Sequence, residues 1–326
     1  MHAAITGVGY SLPSRVLTNA QLETMVDTDD QWIVQRTGIR ERRIADENTA
    51  TSDLSVIAAQ QALADAGVDP GQLDLIIVAT VTPDHAFPST ACLVQRALGA
   101  WGAAAFDLEA ACTGFIYGLS VAEQFIRNGT YKRVLVIGAE TLSKITDYTD
   151  RNTCVLFGDG AGAAVVEARD MPGLLATDLG ADGRGAELLV QQAGGSRKPA
   201  SATTVAAREH FIEMGGREVF KFAVRILGET SEKVLAAAGK NPADISLLIP
   251  HQANLRIIHS ACKRLNVDES RVFINLDRYG NMSAASIPVA LAEASQSGRI
   301  SRGDIVLLVG FGGGLTWGAT LLTWTK

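Results

Sequence analysis

Residues 66–77 read AGVDPGQLDLII, and residues 238–249 read AGKNPADISLLI. Both stretches have the form of a helix end, a polar turn and an apolar strand, and they lie 172 residues apart. A second pair has the same separation, because VLVIG begins at Val134 and VLLVG begins at Val306. Self-similarity at one constant shift indicates duplicated structural units. We therefore predict two halves of similar fold, residues 1–172 and 173–326.

Short apolar runs alternate with Ala-rich stretches in the first half. Runs at 73–80, 104–108 and 133–138 are separated by predicted helices near 89–98 and 112–127. This alternation is typical of α/β proteins built on parallel sheets. Three segments interrupt the repeat: residues 27–50, residues 141–154, which are a candidate cap over a site, and residues 192–208, which we expect to form an exposed loop.

Composition excludes several classes of protein. The chain has 326 residues, 47% of them apolar, and a net charge of −6 without a Lys/Arg run, so nucleic acid is not an expected partner. No segment approaches the roughly 18 consecutive apolar residues of a membrane span, and the opening MHAAITGVGYSLP lacks the pattern of a signal peptide. We expect a cytoplasmic protein with no membrane association.

The cysteines and histidines show no metal-binding spacing. The four cysteines also lack the density of a disulfide scaffold, and we expect packing roles for three of them, Cys92, Cys154 and Cys262. No metal is expected. The Gly-rich tracts at 157–162 and 311–314 run into strands rather than helices, which argues against a nucleotide loop. Such turns can instead present backbone N–H groups to a developing oxyanion.

Cys112 is the strongest candidate for a catalytic residue. It lies in AFDLEAACTGF, directly after an apolar run and at the predicted start of a helix. A thiol at a helix N-terminus has its thiolate stabilised by the helix dipole and the free amides, so we predict a lowered pKa. A small buried packing residue is the alternative.

His251 and Asn281 occupy positions that the duplication relates to the first half. His251 follows the apolar run ISLLIP, and its repeat equivalent is Ala79. It therefore lies at the end of a predicted strand, where open α/β sheets place their sites. Asn281 lies in the turn that corresponds to the turn of Cys112, although Gly-Asn before a helix is also ordinary capping chemistry. The set predicts an activated thiol with two hydrogen-bond donors.

The three segments AACTGF, PHQAN and YGNMSAAS resemble the catalytic segments of the β-ketoacyl-acyl-carrier-protein synthase III family. The resemblance spans the whole chain and includes DTDDQWIVQRTGIRERR, FGDGAGA and FGGGLTWG. It implies a duplicated thiolase-like fold of five αβαβα layers and a homodimer. It also implies that an acyl-CoA primer acylates Cys112 before malonyl-acyl-carrier protein is decarboxylated and condensed. His251 and Asn281 would bind the enolate oxygen, and the backbone N–H groups of Cys112 and Gly313 would form the oxyanion hole.

The same resemblance implies further binding residues and no cofactor, because the CoA thioester is a substrate. Those implied for CoA and pantetheine are Thr28, Trp32, Arg36, Arg151, Gly216 and Asn254. Phe87 is implied to close the acyl pocket of a dimer partner. The residues implied for docking of the acidic carrier protein are Lys221, Arg256, Lys263 and Arg264.

Other functions stay open from the sequence. A related condensing synthase of secondary metabolism has the same requirements. A Cys, His and Asn set also suits a thiol acyl hydrolase, in which His is the base and water releases the acyl group. An inert binding module is disfavoured because all three residues are present.

Overall fold

The computed structural model describes residues 1–326. The first half contains the strands β1 (His2–Ser11), β2 (Arg15–Thr18), β3 (Glu41–Ile44), β4 (Leu75–Ala79), β5 (Ala104–Leu108), β6 (Arg133–Thr141) and β7 (Asp159–Arg169). Its helices are α1 (Asn19–Leu22), α2 (Asp30–Thr37), α3 (Thr51–Ala66), α4 (Thr90–Leu98) and α5 (Gly114–Arg127).

The second half repeats much of this order. Its strands are β8 (Leu174–Ala181), β9 (Leu189–Gln191), β10 (Ile212–Met214), β11 (Leu247–Pro250), β12 (Ile305–Gly312) and β13 (Thr316–Thr323). Its helices are α6 (Ala202–Ala206), α7 (Gly216–Ala237), α8 (Leu255–Leu265), α9 (Leu276–Tyr279) and α10 (Ser286–Gln296). None of the helices combines the length and the apolar character needed to cross a membrane.

Each half contributes one large sheet. The first has the order β1-β7-β6-β4-β5 and the second the order β11-β12-β13-β8. The expectation of parallel sheets holds only for the central strands, because β7 and β13 run antiparallel to their neighbours. Their connections contain no crossover α-helix, and a parallel neighbour requires such a crossover.

The two halves differ at one sheet edge. The equivalent of β5 is missing from the second sheet, where a single bridge between Leu248 and Val272 replaces a strand. The residues that correspond to β5 form α9 instead. The prediction of two like units is therefore correct for four strands of each sheet and wrong for the fifth.

The sheets and helices stack in five αβαβα layers, as predicted. Helices α5 and α10 lie between the two sheets, where Phe115, Ile116 and Ile287 share a core with Ile77 and Ile249. Helices α3 and α4 cover the outer face of the first sheet, and α7 and α8 cover the outer face of the second. Helices α5 and α10 therefore pack against strands of both sheets.

The duplicated turns form for the same local reason in each half. The Asp69 side chain accepts a hydrogen bond from the backbone N–H of Gly71 at 2.8 Å, and Asn241 does the same for Ala243 at 3.0 Å. Each starts a short 3-10 helix with Pro at its first position, and each turn leads the chain into a buried strand. The expected exposed loop at 192–208 contains α6, which is capped by Ser201.

Candidate active site

A cleft with a volume of about 720 Å³ opens at the carboxyl ends of the central strands. Its lining is mainly apolar and includes Val81, Leu108, Phe157 and Leu189. The segment 141–154, predicted as a cap, contributes Leu142 and Ile145 to the wall. The lining also contains the predicted nucleophile Cys112, together with Ser283 and Gly313. Such a cleft suits an apolar acyl chain with a few polar groups at its base.

Cys112 lies in the 3-10 turn Ala111–Thr113 that precedes α5, so the helix begins at Gly114, two residues later than predicted. The turn is held by its surroundings, because Ala111 has a positive φ of 45° without being glycine. On the other side lies the end of β12. A Cβ atom at Gly312 would be 2.7 Å from the backbone nitrogen of Cys112, so only glycine fits there.

The predicted lowering of the Cys112 pKa is wrong in this structure. Burial raises the pKa of the thiol to about 12, and the nearby Glu140 carboxyl adds to the rise, while an interaction with Ser283 partly opposes it. Removing water disfavours the charged thiolate more strongly than the contacts with Ser283 and with the backbone of the turn favour it. The thiol is therefore neutral at pH 7 before substrate binds.

His251 is placed at the end of β11, as predicted, and is 1% exposed. Its ring packs edge-on against Phe311, with ring centroids 5.7 Å apart. Burial lowers the pKa of His251 to about 3, and its Nδ1 atom has no hydrogen-bond partner within the chain. The imidazole is therefore neutral at pH 7 and keeps one N–H to donate.

Asn281 is fixed by backbone and side-chain bonds. Its N–H donates to the carbonyl of Leu156, its carbonyl accepts from Gly158, and its side-chain oxygen accepts from the N–H of Ser283 at 2.8 Å. The amide nitrogen of the side chain makes no hydrogen bond within the chain, and it is the group left to donate to a ligand.

The structure brings the three predicted segments together at the interface of the two halves. The Cys112 turn packs against both the turn at 283–285, which begins two residues after Asn281, and the end of β12. Strand β11, which ends before His251, is the parallel neighbour of β12. Cys112 lines the cleft, whereas His251 and Asn281 are buried and do not line it.

Three of the residues implied for CoA form a stack on the surface. The Arg36 and Arg151 guanidinium carbons lie 5.1 Å and 4.5 Å from the ring centroid of Trp32. Arg151 also pairs with Asp27 at 3.6 Å. The hydroxyl of Thr28 is buried without a hydrogen-bond partner. This group therefore places an aromatic ring and two cations at the surface, whereas the Thr28 hydroxyl is enclosed.

The two remaining residues implied for CoA and pantetheine are Asn254 and Gly216, and they differ in how much of each is free to contact a ligand. Both polar atoms of the Asn254 side chain are engaged, since its nitrogen donates to the carbonyl of Arg36 at 2.9 Å and its oxygen accepts from the N–H of Arg256 at 2.9 Å. Asn254 thereby caps α8 and ties it to α2. Gly216 starts α7 and is exposed, and a Cβ atom there would meet only the methyl group of Met214, at 3.6 Å.

Phe87 is 86% exposed and does not line the cleft, although the adjacent Ala86 and His85 do.

The residues implied for carrier docking lie on α7 and α8. Lys221, Arg256 and Lys263 are exposed and form no salt bridge, whereas Arg264 is bonded to Glu232 at 3.1 Å. Arg264 therefore joins the two helices.

Two residues beside Cys112 escaped the reasoning from sequence. Glu140 is fully buried at the end of β6, and Ser283 is the repeat equivalent of Ala111. The rule that singled out His251, a polar side chain at the carboxyl end of a central strand, applies equally to Glu140. The duplication itself pointed to Ser283, because it places residues 283–285 opposite the Cys112 turn.

Comparisons with known proteins agree with this geometry. A family model described as 3-oxoacyl-[acyl-carrier-protein] synthase III matches residues 106–183, and the model of that family's C-terminal part matches residues 235–324. The β-ketoacyl-[acyl-carrier-protein] synthase III of Natranaerobius thermophilus is 62% identical and covers 99% of both chains. That of Desulfitobacterium hafniense strain Y51 is 60% identical over 99% of this chain and 98% of the relative.

A solved structure shows the same fold. The 3-oxoacyl-[acyl-carrier-protein] synthase III from Aquifex aeolicus VF5 superposes with a TM-score of 0.91 at 51% identity, covering 98% of this chain and 99% of that one. The duplicated five-layer fold with a cysteine at the base of an apolar cleft defines a thiolase-fold condensing enzyme, a class of acyltransferase. Within that class, the chain belongs to the β-ketoacyl-[acyl-carrier-protein] synthase III family.

Proposed function

We propose which residues act in each step of the reaction of this initiating condensing enzyme of fatty-acid synthesis. In the first step the Cys112 sulfur attacks the thioester carbonyl of an acyl-CoA primer, and CoA leaves. Malonyl-acyl-carrier protein then loses CO₂, and the resulting enolate attacks the acyl-enzyme to give 3-oxoacyl-acyl-carrier protein. The observation that carries this assignment is the position of Cys112 at an apolar cleft, with the glycine turn of β12 against its backbone.

The backbone N–H groups of Cys112 and Gly313 form the oxyanion hole. Both residues line the cleft, and the backbone at Gly312, next to Gly313, approaches the Cys112 turn too closely for a side chain. Donors that are fixed in advance stabilise the tetrahedral oxyanion without reorganisation. Thr316 supports this arrangement, because its hydroxyl lies 3.1 Å from the carbonyl oxygens of both Ala110 and Gly313 and can donate its one hydrogen to either.

His251 and Asn281 stabilise the enolate. The imidazole is held neutral by burial, and the Asn281 side chain is oriented by its bond to Ser283, so each can donate one hydrogen bond to an oxygen that gains negative charge. A neutral donor suits this task, because it does not protonate the enolate carbon. The two side chains are buried beside the cleft, which protects the enolate from water.

Acyl-CoA binds with its adenine at Trp32 and Arg151 and its phosphates near Arg36 and Thr28. For the base to enter between Trp32 and Arg151, the guanidinium now 4.5 Å from the ring must move outward. Gly216 and Asn254 lie along the pantetheine arm, and Asn254 acts there by holding α8 against α2. The exposed cations Lys221, Arg256 and Lys263 attract the acidic carrier protein, while Arg264 holds α8 to α7.

A homodimer is supported by an open sheet edge. Strand β5 ends the first sheet, and Phe106 on it is 36% exposed, with Phe87 and the 72% exposed Trp101 among the other exposed aromatic residues. An unpaired apolar edge strand favours pairing with another copy. Phe87 would then reach the acyl cleft of the partner.

We also propose a cytoplasmic location and a reaction without cofactor or metal.

Product analysis tests the reaction. The protein is incubated with malonyl-acyl-carrier protein and acetyl-, branched or medium-chain acyl-CoA, and the carrier-bound product is identified by mass spectrometry. Formation of 3-oxoacyl-carrier protein with release of CO₂ and CoA supports the assignment. Free fatty acid without a new carbon–carbon bond would instead support the hydrolase alternative. Relatives at 60% and 62% identity with the synthase III name disfavour the alternative in secondary metabolism.

A further inference from the structure

Glu140 is a buried carboxyl group for which the reaction described above has no role. It lies at the end of β6 with no exposed surface. It accepts hydrogen bonds from the hydroxyls of Thr82 at 2.6 Å and Thr80 at 3.2 Å, and from the N–H of Val81 at 3.2 Å. All these partners are neutral, and Glu140 forms no salt bridge. A neutral Gln would fill the same space with a smaller desolvation penalty, so packing alone does not explain a carboxyl group here.

Ser283 connects this carboxyl group with the reactive thiol. Its hydroxyl is buried without a hydrogen-bond partner, and its turn, residues 283–285, packs against both the Cys112 turn and β6, the strand that carries Glu140. Ser283 also lines the same cleft as Cys112, and an interaction with it lowers the pKa of both Cys112 and Glu140. The residue has a positive φ of 45°, and its N–H donates to the Asn281 side chain. A buried hydroxyl without a partner is unfavourable. Its position between two titratable groups is that of a relay that forms its bonds only during the reaction.

Acyl transfer requires a proton acceptor in this site. Burial keeps the Cys112 thiol protonated, so the thiolate must form when the primer binds. The titratable groups that interact with Cys112 are Glu140 from β6 and Glu109 from the loop before its turn. Burial raises the pKa of Glu140 to about 7 but lowers that of His251 to about 3, so the carboxylate binds a proton far more strongly than the imidazole does.

We propose that Glu140 accepts the Cys112 proton during acyl transfer, with the Ser283 hydroxyl as the relay. The thiol proton passes to Ser283 as the hydroxyl proton passes to the carboxylate. The sulfur then forms its bond to the primer carbonyl, and the bond between that carbonyl and the CoA sulfur breaks. The CoA thiolate leaves with the electron pair and takes up one proton, which restores the Glu140 carboxylate. The step needs no further reactant.

This inference rests on the proposed role of Cys112 as the acyl acceptor, and its test separates the two. Single-turnover transfer of labelled acetyl groups from acetyl-CoA is measured from pH 5 to 10 for Glu140→Gln and Ser283→Ala. General-base catalysis typically contributes 10²–10⁴-fold. We expect Glu140→Gln to acylate about 10²-fold more slowly at pH 7 and to lose the inflection near pH 7 of the native profile. Its rate should rise steadily with pH. Ser283→Ala should change in the same direction.

Two controls separate proton transfer from structure. Glu123→Gln changes another buried glutamate, which lies on α5 and pairs with Arg127 at 3.3 Å, and it should leave the acylation rate and profile unchanged. Release of CO₂ from malonyl-acyl-carrier protein does not require the thiolate, so it should persist in Glu140→Gln. If Glu140→Gln fails to fold, Ser283→Ala carries the test, because it removes a hydroxyl that holds no hydrogen bond.

Native acylation rates and an unchanged pH profile in both variants would overturn the proton-acceptor role alone. Equal loss of acylation and CO₂ release in both variants would show a structural role, and would also overturn it. Acetyl transfer to a Cys112→Ala protein is the separate result that would overturn the proposed function itself.

Discussion

Gly312 lies so close to Cys112 that a Cβ atom at position 312 would be 2.7 Å from the backbone nitrogen of the cysteine. Gly312→Ala must therefore displace the Cys112 turn, the end of β12, or both. Misplacement of a reacting group by about 1 Å can reduce a rate by about 10²-fold. We expect a loss of this size in single-turnover acylation. Gly183→Ala is the matched control, because no atom lies within 4 Å of its added methyl group. Equal rates for the two variants would contradict the tight packing.

The two half-reactions should respond differently to changes at the three predicted residues. Cys112→Ala should abolish acyl transfer but still release CO₂ from malonyl-acyl-carrier protein, because decarboxylation needs only donors at the enolate oxygen. His251→Ala and Asn281→Ala should each reduce CO₂ release by about 10²–10³-fold, which is the usual loss for one fixed donor. Both should still be acylated. Labelled acetyl-enzyme and CO₂ are measured separately, and a His251→Ala protein that decarboxylates normally would contradict its assigned role.

Phe87→Thr should widen the range of primers. Phe87 is 86% exposed in one chain and is proposed to close the cleft of a dimer partner. The smaller residue leaves room for longer chains, and each methylene group in an apolar pocket contributes roughly 1–3 kcal/mol to discrimination. The ratio of kcat/KM for octanoyl-CoA to that for acetyl-CoA should therefore rise by at least about tenfold. Met171→Thr, at a 71% exposed apolar position between β7 and β8, is the control, and the same ratio in both variants would argue against the assignment of Phe87.

Arg256→Glu should weaken the second substrate selectively. Arg256 is exposed, and its guanidinium carbon lies 5.2 Å from the ring centroid of Phe220. If it attracts an acidic carrier protein, the variant should have a higher KM for malonyl-acyl-carrier protein and a weaker dependence on salt. Acylation by acyl-CoA should remain nearly native. Lys132→Glu makes the same charge change at an exposed position just before β6, at the amino end of that strand and away from the cleft, and should alter neither quantity.

Glu140 should make the stability of the protein depend on pH. Its pKa rises from 4.5 to about 7 on folding, so the folded state binds the proton more tightly than the unfolded state. Its favourable contribution is present in full below pH 4.5 and is lost as the pH rises through 7. Linkage gives a loss of about 3 kcal/mol over this range. Glu140→Gln should therefore gain about that much relative to the native protein between pH 4 and pH 8.

Urea unfolding at a fixed protein concentration measures this difference. Glu47→Gln, at an exposed position, is the control and should follow the native pH dependence. A Glu140→Gln protein whose free energy of unfolding runs parallel to the native curve from pH 4 to 8 would show that Glu140 does not titrate as described.

The sequence by itself determined the duplication and most of the fold. Two segment pairs at one shift were enough, because each half must bury the same apolar strands, and the turns at Asp69 and Asn241 form through local hydrogen bonds. The places of Cys112 and His251 followed from the order of elements, since a polar residue after a buried strand lies at the sheet edge that carries the site. Local patterns suffice for these features.

Only the tertiary structure decided the electrostatic state of the site. The rise in the Cys112 pKa, the neutrality of His251 and the nearness of Glu140 all depend on burial by residues far away in the chain. The positive φ of both Ala111 and Ser283 is likewise found in two turns that pack against each other across the two halves. The absence of a β5 equivalent is also seen only in the structure, where the corresponding residues form α9. Desolvation and packing depend on the complete environment of a group, which no single segment of sequence contains.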